Sequence, residues 1–328
     1  MAGLVLMFVA SVASAAPQVT SITPNSGPVT GGTAVTIRGS DFRVCDTCSP
    51  AIVLVYFGDA RGQFASLVNP STIEVITPPH FAGFADVTVY LSNGTVTVPS
   101  GFLFTGNSED VFERILLPIF TPPSNGAYGS EFVTTFSAVN TSNEAVPIAG
   151  LTRFCPIFCS ISPVEVEPSD DANVGGAVEY SGSPGRFIYL RKSQADSLAM
   201  NLRVQDISRE ELNFGTEIPI VRWSEVRSGP LTLTGVPLDV RFRQALRIYS
   251  TEPTTVRVTV ADITATITLA PATEFYPAYA TFTDFSQPTP PGTLTNVVVE
   301  PLTPGVKIWA FVAVTNNETQ AITTISPQ

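Results

Sequence analysis

Short apolar runs recur along most of the chain, and polar turn residues separate them. The runs are rich in β-branched and aromatic residues and have the length of β-strands. The clearest runs are Ala34–Arg38, Ile52–Phe57, Ile73–Thr77, Asp86–Leu91, Val256–Val260, Ala265–Leu269, Asn296–Glu300 and Trp309–Val314. Turn signals rich in Gly, Pro and Asn lie between them, including the hairpin dipeptide Asn93-Gly94. The pattern predicts an all-β protein made of tandem β-sandwiches.

Helical patterning is confined to two short segments. Ser193–Asn201 and Ile207–Leu212 contain helix-forming residues, and we predict short helices there.

The chain of 328 residues is long enough for two or three domains. The acidic stretch Gly106–Glu113 has the composition of a linker, and Arg227–Pro230 is a polar turn between strand-like runs. A short internal echo supports a division at the second point, because Phe136–Asn140 and Phe311–Asn316 both run from an apolar strand into an Asn-rich turn. The predicted domains are 17–106, 107–228 and 229–328, with a single larger β domain over 107–328 as the alternative.

The first residues indicate a compartment. Gly3–Ala13 is an uncharged apolar run that is too short to span a bilayer, and it ends in the small-x-small pattern Ala13-Ser14-Ala15. We predict a signal peptide over residues 1–16, a secreted or cell-surface protein, and no transmembrane segment in the mature chain. A buried first strand is the alternative.

The four cysteines form two local pairs, Cys45 with Cys48 and Cys155 with Cys159. An oxidising compartment favours a disulfide within each pair. A zinc site would need all four sulfurs to bind one ion, and the two cysteine pairs fall in different predicted domains, which argues against such a site. Disulfides are therefore the prediction, with zinc or free thiols as the alternatives.

Charge argues against a nucleic-acid partner. The chain has 28 acidic and 17 basic residues, a formal net charge of −11 and a pI near 4.6. Binding to nucleic acid needs cations that neutralise phosphates, so no nucleic-acid partner is predicted.

Residues 17–106 resemble an IPT/TIG domain, which has an immunoglobulin-like fold. The resemblance rests on Val19–Pro24, Asn25–Pro28 with Gly31-Gly32-Thr33, Val35–Gly39 with Phe42, Val55–Gly58, Ile76–Pro79, Gly83–Val89, Asn93-Gly94 and Gly101–Thr105. It implies tandem immunoglobulin-like sandwiches of which the first is an IPT/TIG domain. The family includes transcription factors, cell-surface receptors and secreted bacterial proteins, and the chain's charge and first residues favour a secreted bacterial protein. The resemblance implies no catalytic residues and no cofactor.

Individual positions in that domain have clear physical roles. Gly31 and Gly32 are expected to adopt positive φ in a tight turn, and Phe42, Phe57, Phe102 and Phe104 are expected in the core. His80, the only histidine, is expected in a solvated loop rather than in a catalytic triad.

Three groups of side chains are candidate binding sites. The acidic cluster Glu165, Glu167, Asp170 and Asp171 has the oxygen ligands that calcium prefers, or the paired carboxylates of a glycosidase. Arg241 and Arg243, with Arg247 and Arg257 nearby, form a locally basic region that is a candidate for an anionic glycan. Tyr276 and Tyr279 are candidates for stacking on sugars, as are Tyr56 and Tyr90. A solvated acidic loop, arginines on the wet side of a sheet, and core aromatics are the simpler alternatives.

We therefore predict a non-enzymatic extracellular or cell-surface binding protein of the adhesion type. Its partner would be a protein or a glycan at the cell exterior. The alternatives are a carbohydrate-binding accessory protein and a secreted polysaccharide hydrolase that uses the acidic cluster.

Overall fold

A computed structural model describes most of the chain. The described residues are 16–43, 53–120, 123–152, 163–168, 171–175, 185–208, 215–269, 272–273, 275–285 and 289–327. Their secondary structure is almost entirely β, which confirms the predicted fold class. The chain divides into two compact units, Met1–Val111 and Phe112–Gln328.

The first unit is a β-sandwich of two sheets. Its strands are β1 (Gln18–Thr23), β2 (Ser26–Pro28), β3 (Ala34–Ser40), β4 (Leu54–Phe57), β5 (Ala60–Arg61), β6 (Gln63–Asn69), β7 (Thr72–Ile76), β8 (Gly83–Leu91) and β9 (Gly94–Thr105). One sheet has the order β1-β3-β7-β6 and the other has the order β2-β9-β8-β4-β5. The short strand β2 pairs with β9 in parallel, and the other pairs are antiparallel.

Aromatic side chains fill the core of this sandwich. Phe42, Phe57, Phe102 and Phe104 are all buried, which confirms the prediction. The Phe57 ring meets those of Phe102 and Phe104 edge-on, with centroids 5.3 and 6.0 Å apart. Such edge-to-face pairs stabilise a core beyond the burial of apolar area alone.

His80 packs against this core, so the expectation of a solvated loop histidine was wrong. Its imidazole stacks on the Phe104 ring at 4.6 Å, Nδ1 is hydrogen-bonded to the Phe81 carbonyl at 3.0 Å, and its side chain is only 13% exposed. The imidazole therefore has a packing role that its place beside Pro78-Pro79 did not reveal.

The second unit contains two pairs of sheets. Its strands are β10 (Phe112–Leu117), β11 (Ser124–Asn125), β12 (Glu131–Asn140), β13 (Val146–Thr152), β14 (Pro163–Val166), β15 (Asp171–Gly175), β16 (Arg186–Arg191), β17 (Leu198–Asp206), β18 (Thr216–Glu217), β19 (Val221–Arg222), β20 (Leu231–Pro237), β21 (Phe242–Ser250), β22 (Thr255–Val260), β23 (Ile263–Thr268), β24 (Ala278–Phe282), β25 (Leu294–Pro301), β26 (Ile308–Asn316) and β27 (Ile322–Ile325). The earlier half has the sheets β14-β13-β16-β10-β19 and β11-β12-β17-β18, with β15 paired to β12. The later half has the sheets β20-β25-β22-β23 and β24-β21-β26-β27.

These two halves form one compact unit rather than two. Lys307 bridges to Ser228, the Phe187 amide donates to the Phe275 carbonyl at 2.8 Å, and Thr216 Oγ1 donates to the Ile322 carbonyl at 2.5 Å. The division of 107–328 into two domains stays a prediction. The compact unit Phe112–Gln328 has nearly the extent of the alternative, a single larger β domain over 107–328.

The predicted short helix over Ser193–Asn201 is confirmed only for its first part, up to Ser197. Lys192–Ser197 form a 3₁₀ helix, and Leu198 then begins strand β17, which pairs with β12 over nine residues. A long antiparallel ladder outweighs a weak local helix preference. Of Ile207–Leu212, only Ile207 and Ser208 lie within the described residues, and neither is helical.

The internal echo corresponds to two equivalent turns. Asn140 ends β12, and its Oδ1 accepts from the Ser142 amide at 2.9 Å. Asn316 ends β26, and its Oδ1 accepts from the amides of Glu318 and Thr319 at 2.8 and 3.0 Å. Each asparagine therefore folds the chain back after a strand through an Asx turn.

Candidate functional site

A cleft of about 800 Å³ lies between the two halves of the Phe112–Gln328 unit. We call it the inter-half cleft. Its apolar lining residues are Ile119, Ala127, Phe132, Val204, Ile218, Leu238, Val240, Phe242, Ala245, Phe285, Ala313 and Ile322. Three charged residues, Asp239, Arg243 and Arg247, belong to the part of this lining that the structure describes. A concave apolar space with a few polar groups is the usual form of a small-ligand site.

Strand β21 builds the cleft through the alternation of its side chains. Ala245 and Arg247 line the cleft, whereas Leu246 and Ile248 lie in the hydrophobic core of the later half. At the start of the strand, Phe242, Arg243 and Gln244 all line the cleft. Alternate residues of a strand point to opposite faces, so one strand serves both environments.

Two small residues lie opposite each other in the lining of the cleft. Ala245 on β21 is directly opposite Ala313 on β26, and both line the space. A methyl side chain at each of these paired positions leaves unfilled the volume that larger residues would occupy.

Tyr249 joins the two halves beside this space. It is fully buried, and its hydroxyl donates to the carbonyl of Pro118 in the earlier half. Its ring stacks parallel to Phe311 at 6.5 Å and lies 6.2 Å from the Trp309 ring. Burial raises the pKa of Tyr249, while the charge of Arg247 and a hydrogen bond with its side chain act in the opposite direction.

Arg243 is held by neutral hydrogen-bond partners. Its Nη1 donates to Asn317 Oδ1 at 3.2 Å and its Nη2 to Gln320 Oε1 at 2.5 Å. Burial lowers the pKa of Arg243, and the charge of Asp206 acts in the opposite direction. The guanidinium therefore keeps its charge beside the cleft.

Tyr128 lies over Arg243 and is strongly exposed. The Arg243 guanidinium is 5.7 Å from the Tyr128 ring centroid, and Tyr128 is 71% exposed. The residue has φ +57° and ψ +31°, the left-handed region that a bulky residue rarely adopts. Such backbone strain is concentrated at functional sites, and here it positions an aromatic ring beside the Arg243 guanidinium.

Asp239 is buried and saturated with donors. Arg241 donates to it through its backbone N–H and Nε, both at 3.0 Å to Oδ1, and through Nη2 at 2.5 Å to Oδ2. The Gly292 N–H donates to Oδ2 at 3.0 Å. The hydrogen bonds from Arg241 hold the pKa of Asp239 well below its usual value. The ionised Asp239 carboxylate therefore connects the turn that contains Arg241 to the loop that contains Gly292.

Substitution of Asp239 by Asn should destabilise the protein in a pH-dependent way. A carboxylate whose pKa is lowered in the folded state stabilises that state above its usual pKa of 3.8, and this contribution is lost as the pH falls toward the lowered value. The stability difference between wild type and Asp239→Asn should be constant from pH 7 to 4 and shrink below pH 4. Urea unfolding at pH 7, 4 and 2 measures it, with Glu300→Gln as the control for an exposed ion pair. An undiminished difference at pH 2 would contradict this role.

The four candidate glycan residues lie in different surroundings. Arg241 lies in the turn before β21, outside the strand that contains Arg243, and it is paired with Asp239. Tyr276 is half-buried, with its hydroxyl 3.0 Å from Arg186 Nη1 and its ring 5.1 Å from that guanidinium. Tyr279 is half-buried, and its hydroxyl is hydrogen-bonded to Thr281. Among these four residues, only Arg243 lines the inter-half cleft.

The second pair of tyrosines belongs to the first unit. Tyr90 on β8 meets the Tyr56 ring of β4 edge-on, with centroids 5.6 Å apart, and is more exposed than Tyr56. In the basic region, Arg257 pairs with exposed Glu300 at 2.9 Å, away from the cleft lining.

Several predicted features lie outside the described residues. They are the signal peptide up to residue 15, the four cysteines Cys45, Cys48, Cys155 and Cys159, and Asp170 of the acidic cluster. Glu165 and Asp171 lie on strands β14 and β15, which belong to different sheets, and Glu167 is exposed. The described residues contain no group of three or more His, Cys, Asp or Glu side chains that could hold a metal ion. Within the same residues, no helix is long and apolar enough to cross a membrane.

Comparison with protein families identifies the first unit. Residues 17–105 match the IPT/TIG domain and therefore form a domain of that family, as predicted from the sequence. Human Fibrocystin-L is 34% identical over 108 residues, and mouse Fibrocystin-L is 27% identical over 202 residues. These alignments cover 33% and 61% of this chain, but the chain spans only 2% and 4% of those relatives.

Solved structures give distant matches. A protein of unknown function from Bacteroides thetaiotaomicron is 14% identical with a TM-score of 0.25, over 57% of this chain and 45% of that one. The Gamma-CGTASE from alkalophilic Bacillus clarkii is 19% identical with a TM-score of 0.23, over 65% and 26%. SGBP-B from a complex xyloglucan utilization locus in Bacteroides uniformis is 13% identical with a TM-score of 0.22, over 95% and 70%. TM-scores this low do not bear on function.

Proposed function

We propose that this chain is a non-enzymatic binding protein of the cell exterior that receives a small ligand in the inter-half cleft. The IPT/TIG domain at its N-terminal end would contribute a further immunoglobulin-like surface for a protein or glycan partner. The observation that carries the proposal is the cleft itself, with about 800 Å³ of mostly apolar space and a few polar groups.

The chemistry of the lining favours binding over catalysis. Asp239 is the one carboxylate among the described lining residues, and its oxygens accept from Arg241 and Gly292. A carboxylate with a strongly lowered pKa is a poor general base at neutral pH. The predicted signal peptide supports a position outside the cell.

Filling the cleft should abolish binding of a neutral apolar probe. Fluorescence titration with N-phenyl-1-naphthylamine should show saturable binding to the wild-type chain. Ala245→Trp should weaken this binding by about tenfold or more, because the indole would occupy the space that the two alanines leave. Ala199→Trp is the matched control, since Ala199 is exposed on β17 and does not line the cleft.

Circular dichroism and urea unfolding establish that each variant is folded, and Ala245→Leu provides a smaller filling side chain if the tryptophan is not tolerated. Equal affinities for wild type and a folded Ala245 variant would overturn the proposal. Equal losses in Ala245→Trp and Ala199→Trp would also overturn it, because the probe would then bind elsewhere.

A further inference from the structure

We infer that the inter-half cleft selects organic anions, in which an apolar body carries one oxyanion group such as a sulfonate or carboxylate. The inference rests on the proposed function and adds the chemical class of the ligand. It depends on the charges in the cleft and on one buried donor of Arg247.

The charges that line the cleft are unbalanced. The Asp239 carboxylate is neutralised by Arg241, which is exposed and lies outside the lining. Arg243 and Arg247 therefore set the sign of the potential inside the cleft, and the Asp206 carboxylate acts on Arg243 from outside the lining. The protein has a net charge of −11, so the positive charge of the cleft is opposite in sign to the charge of the protein as a whole. A cleft with apolar walls strengthens such a field because it excludes water.

Arg247 supplies a donor that the protein leaves unused. The Arg247 side chain hydrogen-bonds Tyr249, but its Nε is buried and has no hydrogen-bond partner, whereas Arg243 donates from both terminal nitrogens to neutral amides. A buried donor without an acceptor costs free energy. An oxyanion seated beside the guanidinium would accept from Nε and from a terminal nitrogen together, which is a bidentate geometry that arginine favours.

The position of Arg247 connects this donor to the apolar space. Arg247 follows Ala245 on the same face of β21, and its cross-strand neighbours are Phe311 on β26 and Thr281 on β24. An oxyanion at Arg247 would leave the rest of the ligand beside Ala245 and Ala313, where Phe132 and Phe285 also line the cleft. The ligand therefore needs an apolar body as well as a charge.

Two fluorescent probes of similar shape separate these contributions. 1-Anilinonaphthalene-8-sulfonate carries a sulfonate, and N-phenyl-1-naphthylamine has the same aromatic body without a charge. Wild type should bind the sulfonate more tightly than the neutral probe. Arg247→Gln should weaken sulfonate binding by about tenfold or more and change the affinity for the neutral probe less than twofold. Arg247→Lys should recover only part of the loss, because lysine keeps the charge but lacks the second donor.

Arg257→Gln is the control for non-specific attraction, since Arg257 is exposed, paired with Glu300 and outside the cleft. It should leave both affinities unchanged. Equal effects of Arg247→Gln on the two probes, or an equal loss of sulfonate binding in Arg257→Gln, would overturn the inference. Such a result would leave the proposed function intact if Ala245→Trp still blocks the neutral probe. Failure of Ala245→Trp to affect either probe would instead reject the proposed function.

Discussion

Gly31→Ala should destabilise the IPT/TIG domain by about 3 kcal/mol, from backbone strain and overpacking together. Gly31 has φ +72°, and a Cβ there would lie 2.5 Å from the Pro78 carbonyl carbon and 2.6 Å from its oxygen. The clash is with backbone atoms, so no side-chain rotation relieves it. The Gly31 N–H also donates to the Pro28 carbonyl at 3.0 Å, which fixes the turn.

The adjacent residue provides the control. Gly32 has φ +80°, but no atom lies within 4 Å of the position that its Cβ would occupy. Gly32→Ala should therefore cost only about 1 kcal/mol, which is the strain of the left-handed conformation alone. Hydrogen exchange of peptides from residues 17–105, measured by mass spectrometry on the full chain, reports the stability of this domain. Similar protection in the two variants would contradict the close approach to Pro78.

Tyr249→Ala should destabilise the Phe112–Gln328 unit by about 3 to 5 kcal/mol, the usual cost of truncating a large buried aromatic side chain. The substitution removes the rings' contacts with Trp309 and Phe311 together with the hydrogen bond to Pro118. Tyr249→Phe keeps the ring and removes only the donor, so it should cost about 1 to 2 kcal/mol. Urea unfolding followed by tryptophan fluorescence measures both changes.

The two tryptophans report on different parts of that unit. Trp223 lies in the earlier half and Trp309 on β26 in the later half, and both are buried. Wild type should unfold in one transition, and Tyr249→Phe should lower its midpoint without splitting it. Two separated transitions in wild type would show instead that the halves unfold independently, as the division at residue 228 predicts.

The fold followed from the sequence because its signals are local. Short runs of β-branched and aromatic residues predicted the strands, and the consecutive glycines predicted a turn with positive φ. Predictions failed where a distant partner decided the outcome. Leu198–Asn201 join a strand because β12 pairs with them, and His80 is half-buried because Phe104 lies beneath its ring.

The cleft also could not be predicted from the sequence, because distant partners form it. The sequence indicated a basic region containing Arg243 and Arg247, but not that these arginines line a space between two halves of one unit. That space depends on the register that pairs Ala245 with Ala313, and on Phe132 and Ile218 from the earlier half. No local pattern encodes such a register, so Ala245 and Tyr128 gave no signal in the sequence.

The paired alanines also bear on how such a protein could change its ligand over evolution. The ladder between β21 and β26 is formed by backbone groups and extends for nine residues, so it does not depend on the identity of these two side chains. A single codon change at position 245 or 313 would alter the size and shape of the ligand space while the sheet keeps its hydrogen bonds. Selectivity for ligand size can therefore diverge at these two positions independently of selectivity for charge at Arg247.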